Sequence, residues 1–265
     1  MLKNTGKKIK RIRICKEKVV IYFFDQTKLN ISHDTYASFY FFPNKELSAQ
    51  ELKEIKDLNG TSLLLNEALK LLKKSVMSEQ KVREKLLTKS TNRKKIESVI
   101  KSLKEHDLIS DEAYVADFLI YAQEKKMGKY KIINELIKRG IRPEMAKKVV
   151  FKEHEELKKA LSLLPILLRR YATRNDQAKK EAIFNYLLMR GYSSEIAHNV
   201  VKEIRYNEKK ENDFLERDFE LLYLRLSSRF EGRELFEKVN EQLRKKGYKY
   251  NAIKLKWEEK DFENN

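Results

Sequence analysis

The chain has 265 residues, with 58 Lys and Arg against 40 Asp and Glu, a formal net charge of +18 and a pI near 9.6. No uncharged apolar run approaches the roughly 18 residues of a membrane span, and the basic start MLKNTGKKIKRIRIC lacks the apolar core of a secretory signal. Cys15, the single cysteine, excludes an intramolecular disulfide and fits a reducing cytoplasm. Residues 1–60 differ from everything after them. Ile9, Ile12 and Ile14 alternate with Lys10, Arg11 and Arg13, and the alternation slips at Lys10-Arg11. Residues 19–24 are β-branched and aromatic, and Asp25-Gln26-Thr27 supplies a turn before Leu29 and Ile31. The pattern predicts two or three antiparallel strands, with an exposed edge near residues 8–14 as a possible pairing site. Ser32 caps a short helix through Phe39, and the run Phe39-Tyr40-Phe41-Phe42 plugs the small sheet. Ser48-Ala49-Gln50-Glu51 is a capping box that opens a helix through about residue 58, and Asn59-Gly60 marks a junction.

From there one pattern recurs four times. Counted from Gly140, apolar residues stand at −8, −4, +6 and +10: Ile132, Leu136, Ala146 and Val150. The same offsets from Gly191 find Ile183, Leu187, Ala197 and Val201, and those from Gly247 find Val239, Leu243, Ile253 and Trp257. From Ser90 they find Val82, Leu86, Ile96 and Ile100. The anchors lie 50, 51 and 56 residues apart, a period of repeat proteins. The first two offsets mark one face of an amphipathic helix. Glycine at the anchor suits a left-handed helix end, and Lys138-Arg139, Arg190 and Lys245-Lys246 complement the dipole just before it. A second helix follows, with Pro143 in its first turn in one unit and Ser193-Ser194 as caps in another, and a longer helix precedes each pair. A single long coiled coil fails because the glycines interrupt every pair.

The fold class is therefore mainly α: about four tandem three-helix repeats after a small N-terminal β-containing region. The boundaries are 1–60, 61–109, 110–154, 155–210 and 211–265. In the first repeat a helix covers residues 66–74, Ser78 caps a second over 79–89, and Ser90-Thr91-Asn92 replaces the glycine elbow. The second repeat opens at Asp111 as a helix cap, and Pro165 predicts a break in the long helix of the third, over 155–171. Residues 261–265 form a frayed tail.

Catalytic chemistry is thin. His33, His106, His154 and His198 are scattered without metal-ligand spacing, and there is no CxxC, GxSxG or phosphate loop. Most carboxylates interleave with Lys and Arg at helical spacings, as on solvated faces. The chain reads as a binding protein, not an enzyme, with no cofactor and no metal. Basic residues cluster over 7–18, 70–89, 125–142 and 169–180, which points to nucleic acid, although many lysines could equally be solubilising.

Several stretches carry a family resemblance. Leu108-Ile109-Ser110-Asp111-Glu112-Ala113-Tyr114 resembles a signature of the RecX family of recombination regulators. Gly128 with Lys131-Ile132, Glu135-Leu136 and Lys138-Arg139-Gly140-Ile141 resembles a second, and Ser78 to Leu86 is similar to a third. Lys81 departs from that pattern where an acid is usual, Ser90 where glycine is, and Val115 where alanine is. The layout is similar to the longer members, with an N-terminal β region and extra helical repeats. The resemblance implies a non-enzymatic regulator of homologous recombination and the SOS response in DNA repair. It would bind the RecA–DNA filament, block its extension or promote its disassembly, and lower RecA ATP hydrolysis, strand exchange and coprotease activity. The partners implied are the RecA recombinase filament and single- and double-stranded DNA through basic faces, with no membrane, for a cytoplasmic monomer. Lys73, Lys74, Lys81, Arg83, Lys85, Lys129, Lys131 and Arg139 are the candidates for that filament and DNA contact. For any one of them, covering a helix face is an equal alternative. The other reading is a repeat-built basic DNA or RNA binder without a recombinase partner, whose mark would be stacking aromatics on basic faces. Tyr130, Tyr171 and Tyr206 stand near basic residues but share no repeat offset.

Overall fold

The computed structural model describes residues 6–264, with side chains through residue 260. It divides into two compact units, Met1–Phe118 with Leu136–Pro143, and Leu119–Glu135 with Glu144–Asn265.

In the first unit the alternating segments become β1 (Lys7–Ile14), β2 (Val19–Phe23) and β3 (Lys28–Ile31), joined by a two-residue β4 (Glu46–Leu47). The sheet is antiparallel in the order β3-β2-β1-β4. β4 pairs with Lys7 and Lys8, so the edge expected along β1 is covered at its start. The slip at Lys10-Arg11 is a β-bulge: Ile9 pairs with Phe23 and Arg11 with Tyr22, leaving Lys10 as the extra residue. An inserted residue keeps Ile9 and Ile12 on the core side while Lys10 and Arg11 both stay exposed. The core face carries Ile9, Val19, Ile21, Phe23 and Ile31 against Leu52 and Ile55. Ser32 caps the short α1 (His33–Ala37) as its sequence predicts. Of the aromatic run, Phe39 and Phe41 pack against the core, whereas Tyr40 and Phe42 are exposed.

The capping box at Ser48 forms, but its helix does not stop near residue 58. α2 (Ala49–Lys74) runs unbroken for 26 residues through Asn59-Gly60. The reason is tertiary. Asn59 is buried toward the sheet, where its Oδ1 accepts from the Ser32 N–H at 2.8 Å and its Nδ2 donates to the Asn30 carbonyl at 3.1 Å. Docking of these groups outweighs the turn preference of an Asn-Gly pair. The second half of α2 packs with α3 (Glu79–Leu87) and α4 (Arg93–Glu105) around Ala68, Val82, Leu86, Ile96 and Leu103, all essentially buried.

α5 (Asp111–Glu124) and α6 (Lys129–Lys138) pass through the boundary between the two units. α7 (Pro143–Lys147) is only five residues long, which leaves Val150, at the last position of the repeat pattern, 84% exposed. α8 (Glu153–Leu161) and α9 (Leu164–Arg170) are separated by the predicted break, with Pro165 in the first turn of α9. α10 (Asp176–Met189) and α11 (Ser194–Lys202) complete that core around Ile183, Leu187, Ala197 and Val200. α12 (Glu208–Leu226), α13 (Gly232–Lys245) and α14 (Tyr250–Asn264) enclose Phe219, Val239, Leu243 and Ile253. α14 continues to Asn264, so the expected tail is helical that far; Asn265 and the side chains from 261 on lie outside the described residues. Of the sixteen apolar positions of the pattern, thirteen are buried, Val201 and Trp257 are half-buried and Val150 alone is exposed. The repeat period is thus a packing period.

Candidate functional site

The recurring glycines sit where the repeats are clasped together. Gly140, Gly191 and Gly247 have φ of +90°, +86° and +98°. The next residue closes each helix by a 6→1 hydrogen bond: Ile141 N–H to Leu136 O at 3.1 Å, Tyr192 to Leu187 at 3.1 Å and Tyr248 to Leu243 at 3.2 Å. Ser90 has no such left-handed turn; Lys89 and Ser90 both donate to the Leu86 carbonyl.

Each glycine elbow receives the N-terminus of a helix from the preceding repeat. At the first joint the Ser78 hydroxyl donates to the Arg139 carbonyl in a short contact, while the Glu79 N–H donates to the Asp111 carboxylate at 2.9 Å. At the second, the Gly128 N–H donates to Arg190 O at 2.8 Å and the Tyr130 N–H to Gly191 O at 2.9 Å. Between them the Lys129 N–H donates to the Glu156 carboxylate at 2.9 Å. At the third, Asn175 Nδ2 donates to Lys246 O at 2.9 Å and the Asp176 N–H to Glu211 at 2.8 Å. The logic is the same each time. A helix N-terminus has unsatisfied N–H groups and a partial positive charge, which a carboxylate from the following repeat answers, while the elbow carbonyl accepts from the cap side chain at the first and third joints and from backbone N–H at the second. The fit is close: a Cβ on Gly128 would lie 2.3 Å from the backbone of Gly191 and Tyr192, and one on Gly191 would lie 2.3 Å from Lys131 N.

The basic residue before each glycine is engaged beside its elbow, Arg190 reaching the preceding repeat and Lys246 pairing within its own. The Arg139 guanidinium lies 4.8 Å from the Phe118 ring centre and donates to the Tyr114 hydroxyl at 3.2 Å. Arg190 donates to Lys125 O, and the Tyr192 hydroxyl to Lys126 O at 2.9 Å. Lys246 pairs with Asp218 at 3.1 Å, which also accepts from Tyr248 at 3.1 Å. Burial pushes the Asp218 carboxyl up, but hydrogen bonds from Lys246, Arg217 and Tyr248 outweigh it and hold the group below its ordinary value.

The eight candidate contact residues separate into two groups. Arg83 is held by two carboxylates, Glu97 at 2.7 Å and Glu79 at 2.8 Å, and the hydrogen bond to Glu97, more than any other interaction, raises its pKa. Glu79 is drawn up by burial and, more strongly, down by Arg83 and Lys104. Lys81 pairs with Glu84 at 2.7 Å, and Arg139 belongs to the first joint. Lys131 is half-buried against the Gly191 elbow. By contrast Lys73, Lys74 and Lys85 are exposed and, among the described residues, form no ion pair; Lys129 is exposed with its ammonium 5.8 Å from the Tyr130 ring centre. Lys73 and Lys74 end α2, and Lys85 lies on α3 of the same repeat. Among the described residues no group of His, Cys, Asp and Glu could hold a metal ion, and no helix is long and apolar enough to cross a membrane.

No protein-family model matches the chain. Among curated proteins it is 27% identical over 259 residues to the regulatory protein RecX of Lactococcus lactis subsp. cremoris, an alignment covering 93% of both chains. It is 26% identical over 252 residues to the regulatory protein RecX of Staphylococcus aureus, covering 92% of this chain and 91% of the relative. Over more than nine-tenths of its length the chain is thus similar to proteins named regulatory protein RecX. Two solved structures carry the RecX fold onto it. A crystal structure of regulatory protein RecX aligns with a TM-score of 0.60 and 21% identity, covering 74% of this chain and all of the other. The crystal structure of RecX from Lactobacillus salivarius aligns with a TM-score of 0.50 and 25% identity, covering 54% of this chain and 95% of that one.

The RecX-like motifs now have a physical reading. Ser78, Asp111, Gly128, Arg139 and Gly140 are joint residues, with Tyr114 bonded to the Arg139 side chain, so these segments describe how one repeat grips the next. Reading the sequence alone missed this for Asp111. Ser110 takes the cap position, accepting from the Ala113 N–H at 3.1 Å, and frees the Asp111 carboxylate for α3. The apolar residue following each glycine, buried in all three elbows, was the available signal.

Proposed function

We propose that this chain is a non-enzymatic regulator of the RecA recombinase, acting as a cytoplasmic monomer that binds the RecA–DNA filament and inhibits or disassembles it. RecA ATP hydrolysis, strand exchange and coprotease activity fall as a result. The observation that carries the reading is the co-linear likeness, over more than nine-tenths of the chain, to proteins named as RecX regulators. Two features support it. A tandem row of helical modules suits an extended partner better than a small ligand. Lys73, Lys74, Lys85 and Lys129 are exposed cations free to meet phosphates, whereas Lys81 and Arg83 are paired within the first repeat, Arg139 is engaged at the first elbow and Lys131 is half-buried.

The test is RecA's single-strand-dependent ATP hydrolysis as this protein is titrated in at two salt concentrations, beside its direct binding to bare single strands. Inhibition well below the concentration that coats bare DNA is expected. Inhibition that only parallels coating and vanishes with salt would overturn the reading in favour of a basic nucleic-acid binder.

A further inference from the structure

The N-terminal sheet has two unlike faces. One is the core against α2; the other carries Lys8, Lys10, Arg11 and Arg13 from β1, Tyr22 from β2 and Lys28 and Asn30 from β3. The register makes them neighbours: Arg11 stands opposite Tyr22 and Tyr22 opposite Lys28, while Arg13 and Asn30 flank Val20 from either side. All five cations are exposed and, among the described residues, none forms an ion pair. Glu46 stands opposite Lys8 in register, at one end of the face. Like charges crowded along β1 repel one another, and a merely solvated face would interleave acids, as the helices of this chain do. The bulge adds to the cost by placing Lys10 and Arg11 side by side on this face. The Arg11 guanidinium lies 4.3 Å from the Tyr22 ring centre, and Lys8 stands 5.9 Å from that of Phe24, itself half exposed. Flat rings among unpaired cations on an open sheet match the two recurring parts of a single strand, base faces and phosphates. A duplex offers the phosphates but hides the base faces.

We propose that this face of the N-terminal sheet is a binding platform for single-stranded nucleic acid, with Tyr22 and Arg11 as the stacking surface and Lys10, Arg13 and Lys28 as phosphate contacts. The proposal rests on the regulator reading above and gives the N-terminal region its part in it: holding the single strand beside the recombinase. Edge protection alone would explain the charges on β1 and Lys28 of the edge strand β3, but not the ring of Tyr22 on the central β2 of the same face.

The test uses the full chain and a labelled dT oligonucleotide, with the matching duplex as the second probe, read by fluorescence anisotropy across a salt series. Lys10→Glu, Arg13→Glu and Lys28→Glu combined should weaken dT binding by about tenfold or more and reduce the log–log salt slope by about 2, at about 0.7 per lost contact. Tyr22→Leu, which keeps the apolar area, should weaken dT more than duplex. Circular dichroism should show both variants folded; Tyr22→Leu is the gentler probe should the triple variant fail that check. Unchanged dT affinity and slope in folded variants would overturn the platform, whatever happens to solubility, and so would equal loss on dT and duplex in Tyr22→Leu. The two readings fail separately. Wild-type inhibition of RecA with sheet variants that still bind dT normally would remove the platform alone. Sheet-dependent dT binding without any effect on RecA would remove the regulator reading alone.

Discussion

Three glycines allow the joint to be separated into its physical parts. Gly128 has an ordinary φ, but an added Cβ would meet Gly191 C and Tyr192 N at 2.3 Å and Gly191 O at 2.4 Å, all backbone. Gly232 is the reverse: its φ is +52° and nothing lies within 4 Å of the Cβ position. Gly191 combines φ of +86° with a contact 2.3 Å from Lys131 N. Gly232→Ala therefore tests conformation alone. The left-handed turn costs about 1 kcal/mol, offset by about 0.5 from the stiffer unfolded chain. Gly128→Ala must push the two backbones apart. Overpacking costs about 1–3 kcal/mol, and weakening the bonds from Gly128 N–H and Tyr130 N–H adds about 1 kcal/mol each. At about 3 °C per kcal/mol for a unit of this size, Gly128→Ala should lower Tm by about 9–15 °C and Gly232→Ala by about 2 °C, with Gly191→Ala the worst of the three. Thermal unfolding followed by circular dichroism decides it. If Gly128→Ala proves as mild as Gly232→Ala, the close approach of the elbows is not what holds consecutive repeats.

Three further outcomes follow from named contacts. Ser78→Ala removes both the cap on the Lys81 N–H and the bond to Arg139 O, and should cost about 1–2 kcal/mol in urea unfolding, whereas Ser90→Gly at the first elbow should cost far less. Asp218 has a folded pKa below its unfolded value, so its contribution is fully present above the unfolded pKa of about 4 and is lost as pH falls through the folded one. The Tm difference between the parent and Asp218→Asn should shrink on acidification from pH 6 to pH 2.5; a constant difference would show that no such shift exists. Charge reversal of Lys73, Lys74, Lys85 and Lys129 together should weaken filament binding and flatten its salt dependence without changing Tm, and unchanged binding would remove these four as contacts.

The repeat period was legible because a helix buries one residue in three or four, and that spacing survives in Val82, Ile132, Ile183 and Val239 whatever the helix packs against. The bulge was legible too, as the slip between Ile9 and Ile12. What escaped depended on partners distant in sequence. Asn59-Gly60 has the local preferences of a turn, yet the groups that keep it helical, Asn30 and Ser32, lie 29 and 27 residues away. Val150 follows the apolar pattern but falls beyond the end of α7. For the candidate site, composition counts Arg83 and Lys85 alike. Only the fold brings Glu97 across from α4 to occupy Arg83, and only the fold sets Arg139 against Tyr114 and Ser78, the latter 61 residues earlier.

The most direct test of the regulator account is co-sedimentation of this protein with RecA filaments assembled on single strands with a non-hydrolysable ATP analogue, so that little bare DNA remains. The account predicts saturable pelleting with the filament that persists at a salt concentration where bare-strand binding is lost. Pelleting that tracks only uncovered DNA, and disappears when the filament is complete, would contradict it.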